Sequence, residues 1–189
     1  MIFENHQLTP ERDLYRMHQA VAAWGDQGFN PLWGYRQGTI LMRLRDRAPA
    51  GWTPVSVPPV GSRVAFRLMA VPVFKRNGVY IGEFRRERFF RSEDAALDWL
   101  RPRLEGPDGS RSGSAPMGAG LKILEADATL VALPIRKPRQ APFTKRGALF
   151  TGEAQVLDAR LLTQALTRSI GDAGAFGFGF LFIDPISTH

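Results

Sequence analysis

The order in which strand and helix signals follow one another constrains the fold of this chain more than any other feature of it. Three helices are marked. Thr9 stands where a cap accepts the first free N–H groups, Pro10 falls in the first turn, and Glu11 and Asp13 complement the helix dipole. Leu14, Met17, Val21 and Trp24 then recur at spacings of three and four, an apolar stripe that Gly25 ends. Ser92 caps a second helix, Glu93 to about Leu104, with Ala96, Leu97 and Leu100 turned inward and Pro102 interrupting its last turn. Asp158 caps a third, with Leu161, Leu162, Ala165, Leu166 and Ile170 on one face and Gly171 just beyond.

Between these helices lie alternating runs. Gly38 to Arg45 puts Ile40, Met42 and Leu44 on one side, Arg43 and Arg45 on the other. Pro49 to Pro59 reads as loop or edge strand. Arg63 to Ala70 faces Val64, Phe66 and Leu68 inward and Arg63 and Arg67 outward. Lys75-Arg76-Asn77-Gly78 is a basic turn before a short strand, Val79 to Phe84. Gly106 to Gly120 is a flexible loop by composition. Leu121 to Leu133 is a strand broken around Ala126-Asp127, Pro134 to Arg146 a basic loop, Ala148 to Leu157 a strand, and the chain closes on an apolar strand to Ile183. The order strand–helix–strand–strand–(helix)–strand thus occurs twice. It predicts the α+β class: two ferredoxin-like (RRM-like, split βαβ) domains in tandem, spanning 1–77 and 78–189. The first is incomplete or shortened: its opening strand is the weak Met1 to Glu4, and no helix signal lies between Ala48 and Gly61.

Composition narrows the chemistry. Cysteine is absent, which removes disulfides, thiol catalysis and cysteine-bearing metal sites. Histidine occurs only at 6, 18 and 189, too few for a histidine-rich metal site or a defined triad. A carboxylate-bound magnesium stays formally open, but no metal and no cofactor is assigned. The opening residues lack a basic region followed by an apolar run, and the most apolar stretch, Ala173 to Ile183, falls far short of the ~20 residues that span a bilayer. A soluble cytoplasmic protein with no membrane partner is expected. The 189 residues carry 25 Lys+Arg against 18 Asp+Glu, a net charge of +7. That surplus suits a polyanion, nucleic acid first, although an arginine-rich proteome gives the same excess.

Three groups of residues are candidates for chemistry. Tyr15 and His18, one helical turn apart, share a face at the edge of the apolar stripe. Histidine is suited to acid/base work near neutral pH, tyrosine to donating a hydrogen bond, and Arg12 and Arg16 to attracting a phosphate. The same spacing also fits a partly buried aromatic pair. In Ser169 to Ile183, a continuous strand would put Phe176, Phe178, Phe180 and Phe182 on one face and leave the Gly177 and Gly179 face bare for a backbone or a ligand. These glycines follow a helix and precede a strand, the reverse of a nucleotide fingerprint. Finally, Arg63, Arg67, Lys75, Arg76, Arg85, Arg86, Arg88 and Arg91 crowd one span, and Arg136, Lys137, Arg139, Lys145 and Arg146 another. Each cluster alone reads as a solvated face; two together fit phosphate contacts. No aromatic strand motif for base stacking is present.

These segments, in this order, resemble the CRISPR repeat endoribonucleases of the CasE type. RDLYRMHQAV is similar to that family's first helix, with tyrosine and histidine a turn apart. RVAFRLMAVPVFKR is similar to its strand ending in Ala-x-Pro and a basic residue, and EDAALDWLRPRL to its helix with a central Trp-Leu pair. GALFTGEAQVLD resembles its last strand–helix unit, and SIGDAGAFGFGFLFI its terminal glycine-rich loop, where Asp172, Ala173 and Gly174 stand in place of the usual lysine. The resemblance spans about Arg12 to Pro185.

The resemblance implies metal-independent cleavage of CRISPR repeat RNA, in which a 2′-hydroxyl attacks the adjacent phosphorus and the 5′-oxygen leaves. His18 is then the catalytic histidine, as acid or base, and Tyr15 its partner. RNA contacts are expected from Arg12, Arg16, Arg67, Lys75, Arg76, Arg136, Lys137, Arg139, Lys145, Arg146, Gly171, Gly177 and Gly179. Expected partners are the repeat RNA, the 3′ hairpin of the mature crRNA, and other subunits of a multi-subunit effector complex. A type IV processing nuclease is a divergent form of the same expectation. Two alternatives from other classes stand beside it: a non-catalytic hairpin-RNA-binding subunit of such a complex, and a scaffold that binds proteins.

Overall fold

Alternation and helical spacing give two four-stranded antiparallel sheets in the computed structural model, which describes residues 1–9, 13–71, 92–106, 118–136, 140–171 and 174–186, and the backbone alone of 75, 76, 79 and 80. The first sheet holds β1 (Ile2–Leu8), β2 (Leu32–Arg36), β3 (Thr39–Arg45) and β4 (Thr53–Val55) in the order β2-β3-β1-β4, with α1 (Leu14–Ala22) on one face. A two-stranded ribbon, β6 (Lys75–Arg76) and β7 (Val79–Tyr80), follows β5 (Arg63–Ala70). The second sheet is β10-β5-β9-β8, built from β5, β8 (Leu121–Ile135), β9 (Phe143–Val156) and β10 (Leu181–Pro185), with α2 (Glu93–Leu104) and α3 (Ala159–Leu166) packed on it. Both sheets have the ferredoxin-like strand order, so the α+β tandem arrangement is present. The first unit crosses from β3 to β4 without a helix. By strand pairing the changeover between sheets falls between Val55 and Arg63; β5, on the N-terminal side of a division at 77/78, pairs with β9 and β10.

Several expectations require correction. α1 begins four residues later than a Thr9 cap implies: Asp13 is its N-cap, accepting from the Tyr15 and Arg16 N–H groups, while the Thr9 N–H donates to the Gly38 carbonyl and extends the sheet. The helix ends at Ala22, so Trp24 packs on the core from the following turn. Pro102 lies inside α2, which runs to Leu104. The opening strand is seven residues long; it reads as polar because Ile2, Glu4 and His6 share the face turned toward the second sheet, opposite Phe3. β2 forms although its sequence carries no clear alternation. β8 is continuous through Ala126-Asp127, with an irregularity instead between Ile123 and Glu125. The basic loop shrinks to the residues between Ile135 and Phe143, because Pro134, Ile135, Lys145 and Arg146 belong to the β8–β9 hairpin.

The core has three parts. Sheet two against α2 and α3 buries Val64, Phe66, Leu68, Trp99, Leu100, Phe150, Leu162 and Leu166, and sheet one against α1 buries Leu14, Met17, Val21, Trp33, Ile40 and Met42. Between the sheets lie Leu41, Phe180 and Phe182. The face of β3 opposite Ile40 and Met42 is therefore covered, and Arg43 is only 4% exposed there. Its Nε donates to Glu4 Oε1 and its Nη1 to the Leu181 carbonyl, both at 2.5 Å, and its guanidinium lies 4.3 Å from the centre of the Phe180 ring. Burial pulls its pKa below the ordinary arginine value, opposed by the Glu4 carboxylate and by Asp184.

A buried ion pair is strongly coupled to its surroundings, because removing one partner strands the other's charge away from water. Glu4→Ala is expected to destabilise the fold by about 3–5 kcal/mol. Arg36→Gln, which breaks the exposed Arg36–Asp184 pair and leaves the Asp184 charge in place, is expected to change it by less than about 1 kcal/mol. Urea unfolding of the two variants measures the contrast.

Candidate active site

Helix α1 presents the site because its apolar stripe is turned into the core. Leu14, Met17 and Val21 are buried, which leaves Tyr15 and His18 half-buried along the rim. The Asp13 cap fixes where this helix starts: its Oδ1 accepts from Tyr15 N at 2.8 Å and from Arg16 N at 3.2 Å. The Tyr15 and His18 ring centroids are 6.3 Å apart, tilted by 49°. The structure thus brings the pair together, with Arg16 exposed one residue on from Tyr15.

His18 has a second aromatic neighbour that spacing rules do not identify. Phe176 lies 5.7 Å away, centroid to centroid, and comes from outside α1. Phe176 in turn meets Phe143, at the start of β9, edge to face at 6.2 Å. Two elements outside α1 therefore gather at the histidine: the C-terminal segment, through Phe176 on its ring, and, through Phe176, the end of the β8–β9 hairpin where Ile135 pairs with Phe143. Alternation places Phe176 on a strand face with Phe178, Phe180 and Phe182, and the structure corrects this. No strand forms there. Gly174–Phe176 is a 3₁₀ turn, Gly177 and Gly179 have φ of +76° and +80°, and the strand begins only at Leu181. The segment folds as an arch that sends Phe176 to His18, Phe178 into the α1 core, and Phe180 and Phe182 between the sheets.

The glycines of the arch are needed for close packing. A Cβ on Gly177 would come within 2.9 Å of the Trp33 ring, and one on Gly179 would collide with Ser169 and the Ile170 backbone. Their N–H groups are engaged: Gly177 donates to Gly174 at 3.0 Å and Gly179 to Met69 at 2.7 Å. At Gly171 the absent side chain makes room for the Val71 carbonyl and the Trp99 ring. The bare faces, expected to admit a backbone or a ligand, are filled by the protein itself.

The basic residues divide. Leu133 pairs with Lys145 and packs on the α1 core, so Lys145 and Phe143 share the hairpin face turned to α1. Arg146 is on the opposite face, exposed, and Arg136 is exposed just after Ile135. These three lie at the end of the hairpin that carries Phe143. Arg67 sits elsewhere, on the inter-sheet face opposite Phe182. Arg12, Lys137 and Arg139 lie outside the described residues, as do the side chains of Lys75 and Arg76. Among the described residues no group of three His, Asp or Glu side chains is placed to hold a metal ion, and no helix is long and apolar enough to cross a membrane.

Known proteins share both the sequence family and the fold. Residues 56–185 match the model of a protein family described as CRISPR associated protein, a span that holds the arch and the hairpin but not α1. Among solved structures, a CRISPR endoribonuclease Cse3 bound to a 19-nucleotide RNA superposes with a TM-score of 0.68 at 19% identity, over 98% of this chain and 100% of that one. The CRISPR-associated protein Cas6e from Escherichia coli K-12 gives 0.66 at 19% identity, over 98% and 100%. Thermus thermophilus Cse3 bound to an RNA representing a pre-cleavage complex gives 0.60 at 20%, over 97% and 99%. A chain of a CRISPR RNA-guided surveillance complex gives 0.61 at 18% identity, over 97% and 100%. At these identities the likeness is one of fold. No curated protein sequence matches.

The arch is tightly fitted, so its glycines should tolerate no side chain. Gly177→Ala is expected to lower Tm by several degrees, the effect of overpacking by about 1–3 kcal/mol. Gly25→Ala, at a position with open space around it, should leave Tm unchanged in the same thermal melt.

Proposed function

This chain belongs to the CRISPR-associated protein family, and from that premise we propose that it is an endoribonuclease that cleaves CRISPR repeat RNA without a metal ion. The observation that carries the proposal is the aromatic contact at His18: a half-buried imidazole with a tyrosine one turn away and Phe176 on its ring, Phe176 in turn meeting Phe143 at the hairpin end that bears Arg136 and Lys145. Cleavage of RNA by its own 2′-hydroxyl needs three things from a protein. The attacking oxygen, the phosphorus and the leaving 5′-oxygen must lie in line, a proton must be moved, and charge on the phosphorane must be stabilised.

Each has a candidate here. His18 transfers the proton: as base it takes the 2′-hydroxyl proton, and as acid it protonates the departing 5′-oxygen. The products of that step are a 2′,3′-cyclic phosphate and a 5′-hydroxyl. Tyr15 donates a hydrogen bond from the same helix face. Arg16, Arg136 and Lys145 attract the phosphates around the scissile bond, and Arg146, on the other hairpin face, with Arg12, Lys75, Arg76, Lys137 and Arg139, extends that grip as the family resemblance implies. Such contacts read backbone and shape, as suits an A-form hairpin whose major groove side chains cannot enter. Gly171, Gly177 and Gly179 serve by allowing the arch to close, while Arg67, on the inter-sheet face, lies apart from this group. The likeness to a chain of a surveillance complex supports a protein that keeps the crRNA hairpin and joins other subunits, in the cytoplasm where those partners act.

His18→Ala is expected to lower the single-turnover cleavage rate at least about 10²-fold while hairpin affinity is retained; Tyr15→Phe should act in the same direction and less strongly. Tight binding by a wild-type protein that cuts no repeat RNA would favour the hairpin-holding subunit instead. For the paired variant Lys145→Ala/Arg146→Ala, hairpin binding should weaken. The slope of log affinity against log salt should also fall, by about 1 for each phosphate that is no longer neutralised.

A further inference from the structure

Arg43 is 4% exposed and takes no part in the chemistry above, yet two of its three partners belong to the segment that reaches His18. Its Nη1 donates to the Leu181 carbonyl and its guanidinium stacks on the Phe180 ring. Phe180 also fills the space left by the missing side chain of Gly34: a Cβ there would sit 2.7 Å from Phe180 Cγ. One residue back, the Gly179 N–H donates to Met69 and its carbonyl accepts from the Ile170 N–H at 2.9 Å. Two residues further back Gly177 lies against Trp33, and the next residue is Phe176, on the His18 ring. The arch is therefore pinned at its C-terminal foot by Arg43 and Gly34 and delivers Phe176 at its N-terminal foot. Between the two, the backbone turns at glycines of positive φ whose N–H groups are engaged, so there is little slack to absorb a shift of Phe180.

Resting on the reading of His18 as the acid/base residue, we propose that Arg43 is a positioning residue for that reaction: by clamping Phe180 and Leu181 it seats Phe176 against the His18 imidazole and so sets the orientation of the ring. The Glu4 carboxylate keeps the Arg43 side chain in place on β3. The arginine is required for its planar fork and its aromatic stacking together; a lysine keeps the charge but loses the second donor direction and the flat face.

The test uses the full-length protein with ring-labelled histidine, in which His18→Ala identifies the His18 signal among three histidines. Phe176→Leu calibrates the ring-current shift that Phe176 imposes on it. Arg43→Lys and Phe180→Leu are expected to move the His18 signal in the same direction as Phe176→Leu. They should also lower the single-turnover rate roughly tenfold to a hundredfold with hairpin affinity unchanged. Phe180→Leu leaves the Glu4–Arg43 pair in place, so it remains informative where Arg43→Lys does not fold. Leu100→Ala, in the α2 core, is the control: it should lower Tm without moving the His18 signal. A His18 signal that stays put in both arch variants, or that moves equally in Leu100→Ala, overturns the proposal. If the wild-type protein cuts no repeat RNA, the reading of His18 fails instead, and with it the proposal.

Discussion

The inter-sheet contact built on Arg43 is the constraint on which the rest of the molecule depends. A charged group with almost no exposure costs several kcal/mol to desolvate and persists only where its hydrogen bonds are met. Here Glu4 supplies a carboxylate from β1, Leu181 a carbonyl from β10, and Phe180 an aromatic face. The partners come from both sheets, so satisfying one side chain fixes the two ferredoxin-like units against each other. Around it Leu41, Phe180 and Phe182 exclude water. A small apolar contact between two sheets would allow sliding; a directional one with a stranded charge as the alternative does not.

That fixed relation explains how chemistry can be assembled from distant parts of the chain. His18 belongs to the first unit, Phe143 and the basic hairpin end to the second, and Phe176 to the segment that leaves α3 and returns through the inter-sheet layer. None of the three elements alone makes a site. An imidazole on a helix rim rotates freely in water, whereas one flanked by Tyr15 and Phe176 is restricted before any RNA arrives. The hairpin end that carries Phe143 also bears Arg136, Lys145 and Arg146.

Much of the fold is legible in the sequence because its cues are local. The Ser92 and Asp158 caps, the β5 alternation and the absence of a second helix in the first unit all follow from neighbouring residues. The start of the first helix is ambiguous in the sequence because Thr9 and Asp13 both have capping side chains, and only tertiary pairing of Thr9 with Gly38 decides between them. The Tyr15/His18 contact is legible from helical spacing; Phe176 is not, since period-2 logic assigns its segment to a strand. The signal against a strand lies in Gly177 and Gly179, which suit turns as well as bare strand faces. Arg43 carries a cue of its own: an arginine between Met42 and Leu44 in an otherwise apolar run, on a strand whose two faces are both covered.

The most direct test of His18-driven, metal-free cleavage compares two repeat RNAs in excess EDTA, identical except for a single 2′-deoxy nucleotide just 5′ of the cut. The all-ribose RNA should be cut to a 2′,3′-cyclic phosphate and a 5′-hydroxyl, and the deoxy RNA should be bound and left intact. Cleavage of the deoxy RNA, or cleavage that requires a divalent cation, would contradict the proposed chemistry.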